Sequence, residues 1–232
     1  MDDDFHVNLN GEKVPVHVRR NSRAKRLILR IDHASGAIKL TLPLRANARA
    51  AEKFLSTQHD WLLRGRAAIA PLDVVGNGSK ISYLGEMHDV VFTGMPPRRA
   101  TRADGKIHVG GPIDMAPKRL EKWVRTEAKK LLDVRAAAHA ETLAVSYKRI
   151  SIGDMSSRWG SCSATGTLRF NWRLLMAPPL VLDYVAAHEV AHLREMNHSD
   201  KFWAEVAKCV PDHKALRRWL KTEGSDLFKI RF

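Results

Sequence analysis

His188, Glu189 and His192 stand in the order H-E-x-x-H, and a third histidine, His198, follows six residues after His192. On a helix, residues four apart lie on one face about a turn apart, so two imidazoles so spaced can hold one metal ion. Glu189 is rotated by about 100° from His188, which sets it beside such an ion rather than among its ligands. A base that takes a proton from a metal-bound water must stand there. The pattern predicts a hydrolytic zinc site with Glu189 as the catalytic residue and His188 and His192 as ligands.

A catalytic zinc ion keeps three protein ligands and leaves one position open. His198 is the expected third ligand, because H-E-x-x-H-x-x-G-x-x-H proteases use the same separation. Those sequences carry a glycine three residues past the second histidine, where this chain has Glu195. The return turn must therefore be made another way, and Asn197 is expected to make it because asparagine tolerates the left-handed region. The rival ligands are Glu205, Asp212 and His213. The competing view of the motif is a pair of hydrogen-bonded core histidines with Glu189 on the surface. The apolar residues around it (Val181, Leu182, Val185, Val190, Ala191) predict a semi-buried helix, on which histidines need partners that a metal supplies.

The elements that must position this site read as an α+β chain. Strands are expected over 6–9, 14–18, 27–31 and 38–42, with Asn10-Gly11 and Ala34-Ser35-Gly36 as turns. One helix is expected over 46–70, ended by Pro71. Three further strands are expected over 81–84, 89–93 and 106–109. Gly110-Gly111-Pro112 is the clearest break, so a β-rich N-terminal region over 1–112 is expected to precede a helix-led catalytic region over 113–232. In the second region a long amphipathic helix spans 115–143, with Leu120, Trp123, Val124, Ala128, Leu131, Leu132 and Val134 on or near its inner side. Strands at 150–152 and 167–171 flank a loop at 154–163. Pro178-Pro179 opens the motif helix, and Ser199 caps the next one. Pro211 begins a last helix that Gly224 closes. No internal repeat is apparent.

The 232 residues are 44% hydrophobic, enough for a real core, and carry 39 basic against 25 acidic residues for a net charge of +14. That balance favours contact with something anionic. The basic clusters at 19–30, 98–102 and 118–135 lack the interleaved aromatics that stack bases, and no helix-turn-helix or zinc-finger spacing appears. There is no apolar run long enough for a transmembrane helix, the acidic start is not a secretory signal, and two cysteines do not make a disulfide framework. A cytoplasmic protein is expected.

Further residues carry the chain into a recognisable pattern. They are Ser157-Arg158-Trp159-Gly160-Ser161-Cys162-Ser163, Asn171-Trp172-Arg173-Leu174, Tyr184-Val185 before the motif, and Asn197-His198-Ser199 with Phe202-Trp203 after it. Together they resemble the YgjP-like metallopeptidase family, with SprT-like proteases as more distant relatives. The resemblance is specific over about residues 147–220 and looser over the N-terminal half. It implies a compact zincin-like catalytic half, one zinc ion on His188, His192 and His198, and Glu189 as the catalytic glutamate. In a zincin the 156–163 loop and the strand after it would lie near the motif helix, where substrate peptide can add by main-chain pairing. Arg158 is expected either to meet an anionic group on the substrate or to pair with an internal carboxylate. Trp159, Trp172, Phe202 and Trp203 are expected in the core, Cys162 as a small buried residue, and Tyr184 as packing.

The expected function is a zinc-dependent metallohydrolase, most readily a metallopeptidase acting on protein or peptide substrates. The alternatives are a metal-dependent nucleotide pyrophosphatase and a basic, nucleic-acid-associated zinc protein. Against the first stands the lack of a carboxylate-rich magnesium site and of a phosphate loop. Against the second stands the lack of a fourth zinc ligand such as a paired cysteine.

Overall fold

A computed structural model describes residues 5–32, 36–67 and 73–232. The chain divides into two compact units, 1–72 and 73–232. In the first, the hairpin expected at Asn10-Gly11 forms between β1 (Phe5–Leu9) and β2 (Glu12–Asn21). Both turn residues have positive φ, 52° and 85°, the geometry that favours Asn-Gly. β3 (Ile28–Ile31) and β4 (Ile38–Pro43) pair antiparallel, and β4 also runs parallel to β2, giving the order β1-β2-β4-β3. Residues 33–35 of the turn between β3 and β4 lie outside the described residues, as does Pro71. Alternate strand residues Val7, Val14, Val16, Ile38, Leu40 and Leu42 are buried under Ala51, Leu55 and Leu62.

The single helix expected over 46–70 is two: α1 (Ala48–Thr57) and α2 (His59–Ala67). Asn47 caps α1 by accepting from the Ala50 N–H at 2.8 Å. At its end the Ser56 and Thr57 hydroxyls donate back to the Lys53 and Phe54 carbonyls. Such side-chain bonds compete with the helical ladder, and Gln58 leaves helical geometry at φ −101°, ψ 10°.

The second unit begins with β5 (Asp73–Val74), β6 (Lys80–Tyr83), β7 (Glu86–Phe92), β8 (Ala100–Ala103) and β9 (Lys106–Val109). The last four form a sheet of order β6-β7-β9-β8, with β7 and β9 parallel and the outer pairs antiparallel. This is the arrangement of the first unit's sheet, so a topology recurs that no sequence repeat announced. The break expected at Gly110-Gly111-Pro112 falls inside this unit. The reason is a shared core: Ile81, Val90, Ile107 and Val109 are buried in one cluster with residues of the helix that follows.

That helix, α3 (Ala116–Thr142), buries Leu120, Val124, Ala128, Leu132 and Ala136, one residue every fourth position. Val134, expected near the inner side, is 67% exposed. β10 (Arg149–Gly153), β11 (Gly160–Cys162) and β12 (Thr167–Asn171) make a second sheet of order β10-β12-β11, leaving β11 at the edge. The segment expected as a loop at 154–163 therefore contains a strand. A short 3₁₀ turn, Trp172–Met176, leads into α4 (Pro179–Ala191), and α5 (Asp200–Cys209), α6 (His213–Lys221) and α7 (Gly224–Leu227) follow. Gly224, expected to close a helix, opens α7 instead. β13 (Ile230–Arg231) pairs parallel to β5.

Arg173 locks this connection to the chain's end. It is 1% exposed, its guanidinium lies 4.0 Å from the Trp172 ring centroid, and it donates to Asp154 and, at 2.9 Å, to the Ile230 carbonyl. Removing it strands a part-buried carbonyl and opens a cavity, while Asp154 stays solvated. Arg173→Ala is expected to cost about 2 kcal/mol and to lower the thermal midpoint by roughly 4–8 °C. A thermal melt checks this.

Candidate metal centre

α4 is apolar on every side, with nine of its residues buried, and starts on Pro178-Pro179 as expected. Asp183 anchors it to α3 through His139, 2.9 Å away. The preceding turn is held from outside the helix. Ser82 donates to the Met176 carbonyl at 2.7 Å, and the Leu84 N–H donates to the Leu175 carbonyl at 2.7 Å. The helix thus presents His188 and Glu189 from a fixed frame, and His192 follows directly on its last turn.

The three histidines converge. One ring nitrogen from each of His188, His192 and His198 lies within 4.8 Å of the others. The Nε2 atoms of His188 and His198 are 3.1 Å apart. His192 Nδ1 donates to the Glu195 carbonyl at 3.0 Å, which fixes its tautomer and leaves Nε2 as the free lone pair. Phe202, fully buried, lies under all three rings at centroid distances of 4.9, 4.5 and 4.8 Å. Trp203 is 5.8 Å from both His188 and His198. These aromatics on α5 are set by Ser199, whose hydroxyl accepts from the Phe202 N–H as the N-cap. Of the residues expected in the core, Trp172 and Phe202 are buried, while Trp159 and Trp203 are half-buried.

The return turn between His192 and His198 is not made by a left-handed Asn197, which has no positive φ. Leu193, Arg194 and Glu195 donate their N–H groups to the Val190 and Ala191 carbonyls, and the Asn197 side chain accepts from the Ser199 N–H. Backbone bonds at the frayed helix end replace the glycine. The rival ligands stand elsewhere. Glu205 pairs with Lys208 at 2.7 Å and Arg194 at 3.5 Å, and His213 stacks on Trp203 at 5.4 Å. Among the described residues, Asp212 does not join the cluster.

Glu189 is 5% exposed, so it is not the surface residue of the competing view. Burial pushes its carboxyl up to about 8, opposed by the Arg158 charge. Burial also holds His188 down to about 3, helped by the neighbouring His192, His198 and Arg217, and burial lowers His192. Both imidazoles are therefore neutral at pH 7, the form that ligates metals. Burial raises the Cys162 thiol to about 11, which excludes it as an activated nucleophile. Tyr184, 3% exposed, sits edge-on to His188 at 5.9 Å, and burial raises its phenol to about 12.

The residues fit a metal. Among the described residues, Glu189 Oε2, beside the converging imidazole nitrogens, is a buried polar atom with no hydrogen-bond partner, which a protein interior rarely tolerates. Three imidazoles with a carboxyl group beside them are a donor set that suits zinc.

Gly160 on β11 was not singled out for a role. A Cβ there would lie 2.5 Å from Glu189 Oε1 and 2.6 Å from its Cγ. Glycine at this edge-strand position leaves the room that the carboxyl occupies. The buried Glu189 side chain must shift from its Cγ outward while no backbone atom is met, so Gly160→Ala is expected to fold with a modestly lowered melt. Displacing the carboxyl by about an ångström is expected to lower turnover roughly 100-fold, and a parallel melt and activity assay checks both.

The YgjP-like, metallopeptidase domain family matches residues 25–223, and the chain belongs to that family. Among solved structures, the chain is similar to the metallopeptidase zymogens abylysin of Pyrococcus abyssi and jannalysin of Methanocaldococcus jannaschii. Identities are 23% and 21%, both matches cover 40% of this chain and 95% of the other, and both TM-scores are 0.36. No curated protein matches. The family carries a metal and acts on proteins, and among the described residues no helix is long and apolar enough to cross a membrane.

Proposed function

We propose that this protein is a zinc-dependent peptidase of the H-E-x-x-H-x-x-x-x-x-H type, with a zincin-like centre of one ion on His188, His192 and His198. The convergence of three imidazole nitrogens within 4.8 Å, beside a buried carboxyl, carries this reading. When bound, zinc supplies Lewis acidity to the scissile carbonyl and to water. Glu189 takes the proton of the attacking water at a carboxylate oxygen and passes it to the leaving amine. Gly160 and the β11 edge keep the carboxyl in place, and the apolar wall of Phe202 holds the imidazoles and excludes water beneath them. The zinc-loaded protein, incubated with a denatured-protein mixture and separately with a nucleoside triphosphate panel, is expected to release peptides. Nucleoside monophosphate and pyrophosphate without peptides would make it a pyrophosphatase instead.

A second reading adds a polyanionic partner such as nucleic acid. A groove of about 530 Å³ along α3 is lined by Lys118, Lys122, Arg125 and Lys129. Its carboxylate, Glu121, pairs with Arg125 at 2.7 Å, and Lys129 pairs with Asp133 at 2.6 Å, so among the described residues Lys118 and Lys122 supply the groove's uncompensated charge. Oligonucleotide binding that weakens steeply with salt supports this contact, and salt-insensitive or absent binding removes it.

A further inference from the structure

Two arginines near the candidate centre, Arg217 on the histidine side and Arg158 on the Glu189 side, form no ion pair with a carboxylate among the described residues. Arg217, exposed on α6, lies 4.6 Å over the Trp203 ring, and that ring is 5.8 Å from the His188 and His198 imidazoles. His213, one turn earlier on α6, stacks on the same indole at an interplanar angle of 12°. The arginine is therefore held at the rim of the cluster by a cation–π contact rather than by an acid. Its charge is felt at His188 and Tyr184. Arg158, also exposed, precedes β11. Its carbonyl accepts from Asn171 Nδ2 at 3.1 Å, which pins it two residues from Gly160 and the Glu189 carboxyl, where its charge is felt.

Three other arginines of this unit do pair with acids: Arg125 with Glu121, Arg173 with Asp154, Arg194 with Glu205. Among the described residues Arg158 forms no ion pair with the internal carboxylate expected as one partner; the carboxyl its charge reaches is that of Glu189. Unpaired cations next to a centre that would itself hold a cation would repel one another, and an anionic substrate would relieve that repulsion. Guanidinium is the side chain best matched to a carboxylate, which it can grip through two hydrogen bonds.

We propose that Arg217 and Arg158 select peptide substrates bearing a carboxylate beside the scissile bond. This rests on the peptidase reading. The carboxylate could belong to an Asp or Glu side chain or to a free C-terminus, and matched peptides separate the two. The test is binding to zinc-loaded, full-length Glu189→Gln protein by fluorescence anisotropy, which needs no turnover. The probes are labelled peptides that differ only in one residue (Glu, Gln or Lys) and in a free or amidated C-terminus. The Glu or the free-acid peptide is expected to bind roughly tenfold more tightly than its neutral counterpart. Adding Arg217→Gln or Arg158→Gln is expected to bring that ratio towards one, with zinc content and melting point unchanged. Equal binding of acidic and neutral peptides, or a ratio that both substitutions leave intact, overturns the proposal. Turnover of the same peptides by the unsubstituted protein is read separately. Cleavage without acid preference leaves the peptidase reading standing while the selectivity fails. Acid-selective binding with no cleavage of any peptide fails the peptidase reading alone.

Discussion

Glu189→Gln is expected to keep its metal and lose turnover by roughly 100- to 10,000-fold, the range that a positioned general base contributes. The substitution is nearly isosteric, so the pocket that Gly160 leaves open stays filled. An amide cannot take a proton from water. The three imidazole nitrogens do not include Glu189, so zinc content should not fall. The carboxyl is 5% exposed and its ordinary acidity is suppressed by burial. A structural role for so buried a carboxyl would leave activity intact once the fold is kept. Steady-state hydrolysis and metal analysis on the same sample check the prediction. Activity within about tenfold of the parent would remove Glu189 as the base.

His198→Ala is expected to lower zinc affinity by more than the roughly 10- to 100-fold that loss of a mere supporting residue costs. His198 is the exposed member of the cluster, and it is held by stacking on Trp203 at an angle of 29° rather than by a helix. Two imidazoles on one helix turn, His188 and His192, would remain. Chelator competition reads the affinity. Glu205→Ala and His213→Ala serve as contrasts, since neither residue joins the three nitrogens, and both should keep full zinc stoichiometry. Metal lost from Glu205→Ala but not from His198→Ala would reverse the ligand assignment.

How much of this was legible in the sequence depends on how local the signal was. Asn10-Gly11 needs only its own two residues to turn a hairpin, and the apolar run around the H-E-x-x-H motif needs only helical spacing to become α4. That His198 would converge with His188 and His192 was reachable by spacing alone. The return turn was not, because backbone bonds to the Val190 and Ala191 carbonyls leave no residue signature and removed the need for a left-handed Asn197. β11 is three residues of Gly-Ser-Cys with no apolar alternation, and it becomes a strand only because β12 offers it an edge. β8, with Ala100 buried and the rest exposed, is weak for the same reason. The split of α1 from α2 turned on two hydroxyls, Ser56 and Thr57, whose competing bonds leave the helical apolar spacing untouched. Val134 followed the inner spacing of a long helix at a place where nothing covers it.

The unit boundary shows the same limit. Gly110-Gly111-Pro112 is a true local break, but Ile107 and Val109 on one side and Leu120 and Val124 on the other share one core. Glycines and prolines mark where a chain turns, whereas shared burial decides what folds together. The roles of Gly160, which the sequence shows only as one residue of the 157–163 run, and of Arg217 were hidden for a related reason. Their significance lies in what they touch, Glu189 and Trp203, across 29 and 14 residues of sequence.

The most direct test of the proposed centre is a crystal of zinc-loaded protein, with anomalous scattering recorded on both sides of the zinc edge. One peak is expected about 2.1 Å from the Nε2 atoms of His188, His192 and His198, with Glu189 beside it and outside bonding distance. A peak bound by Glu205 or His213 in place of His198, a fourth protein ligand closing the site, or no peak at the three histidines would contradict it.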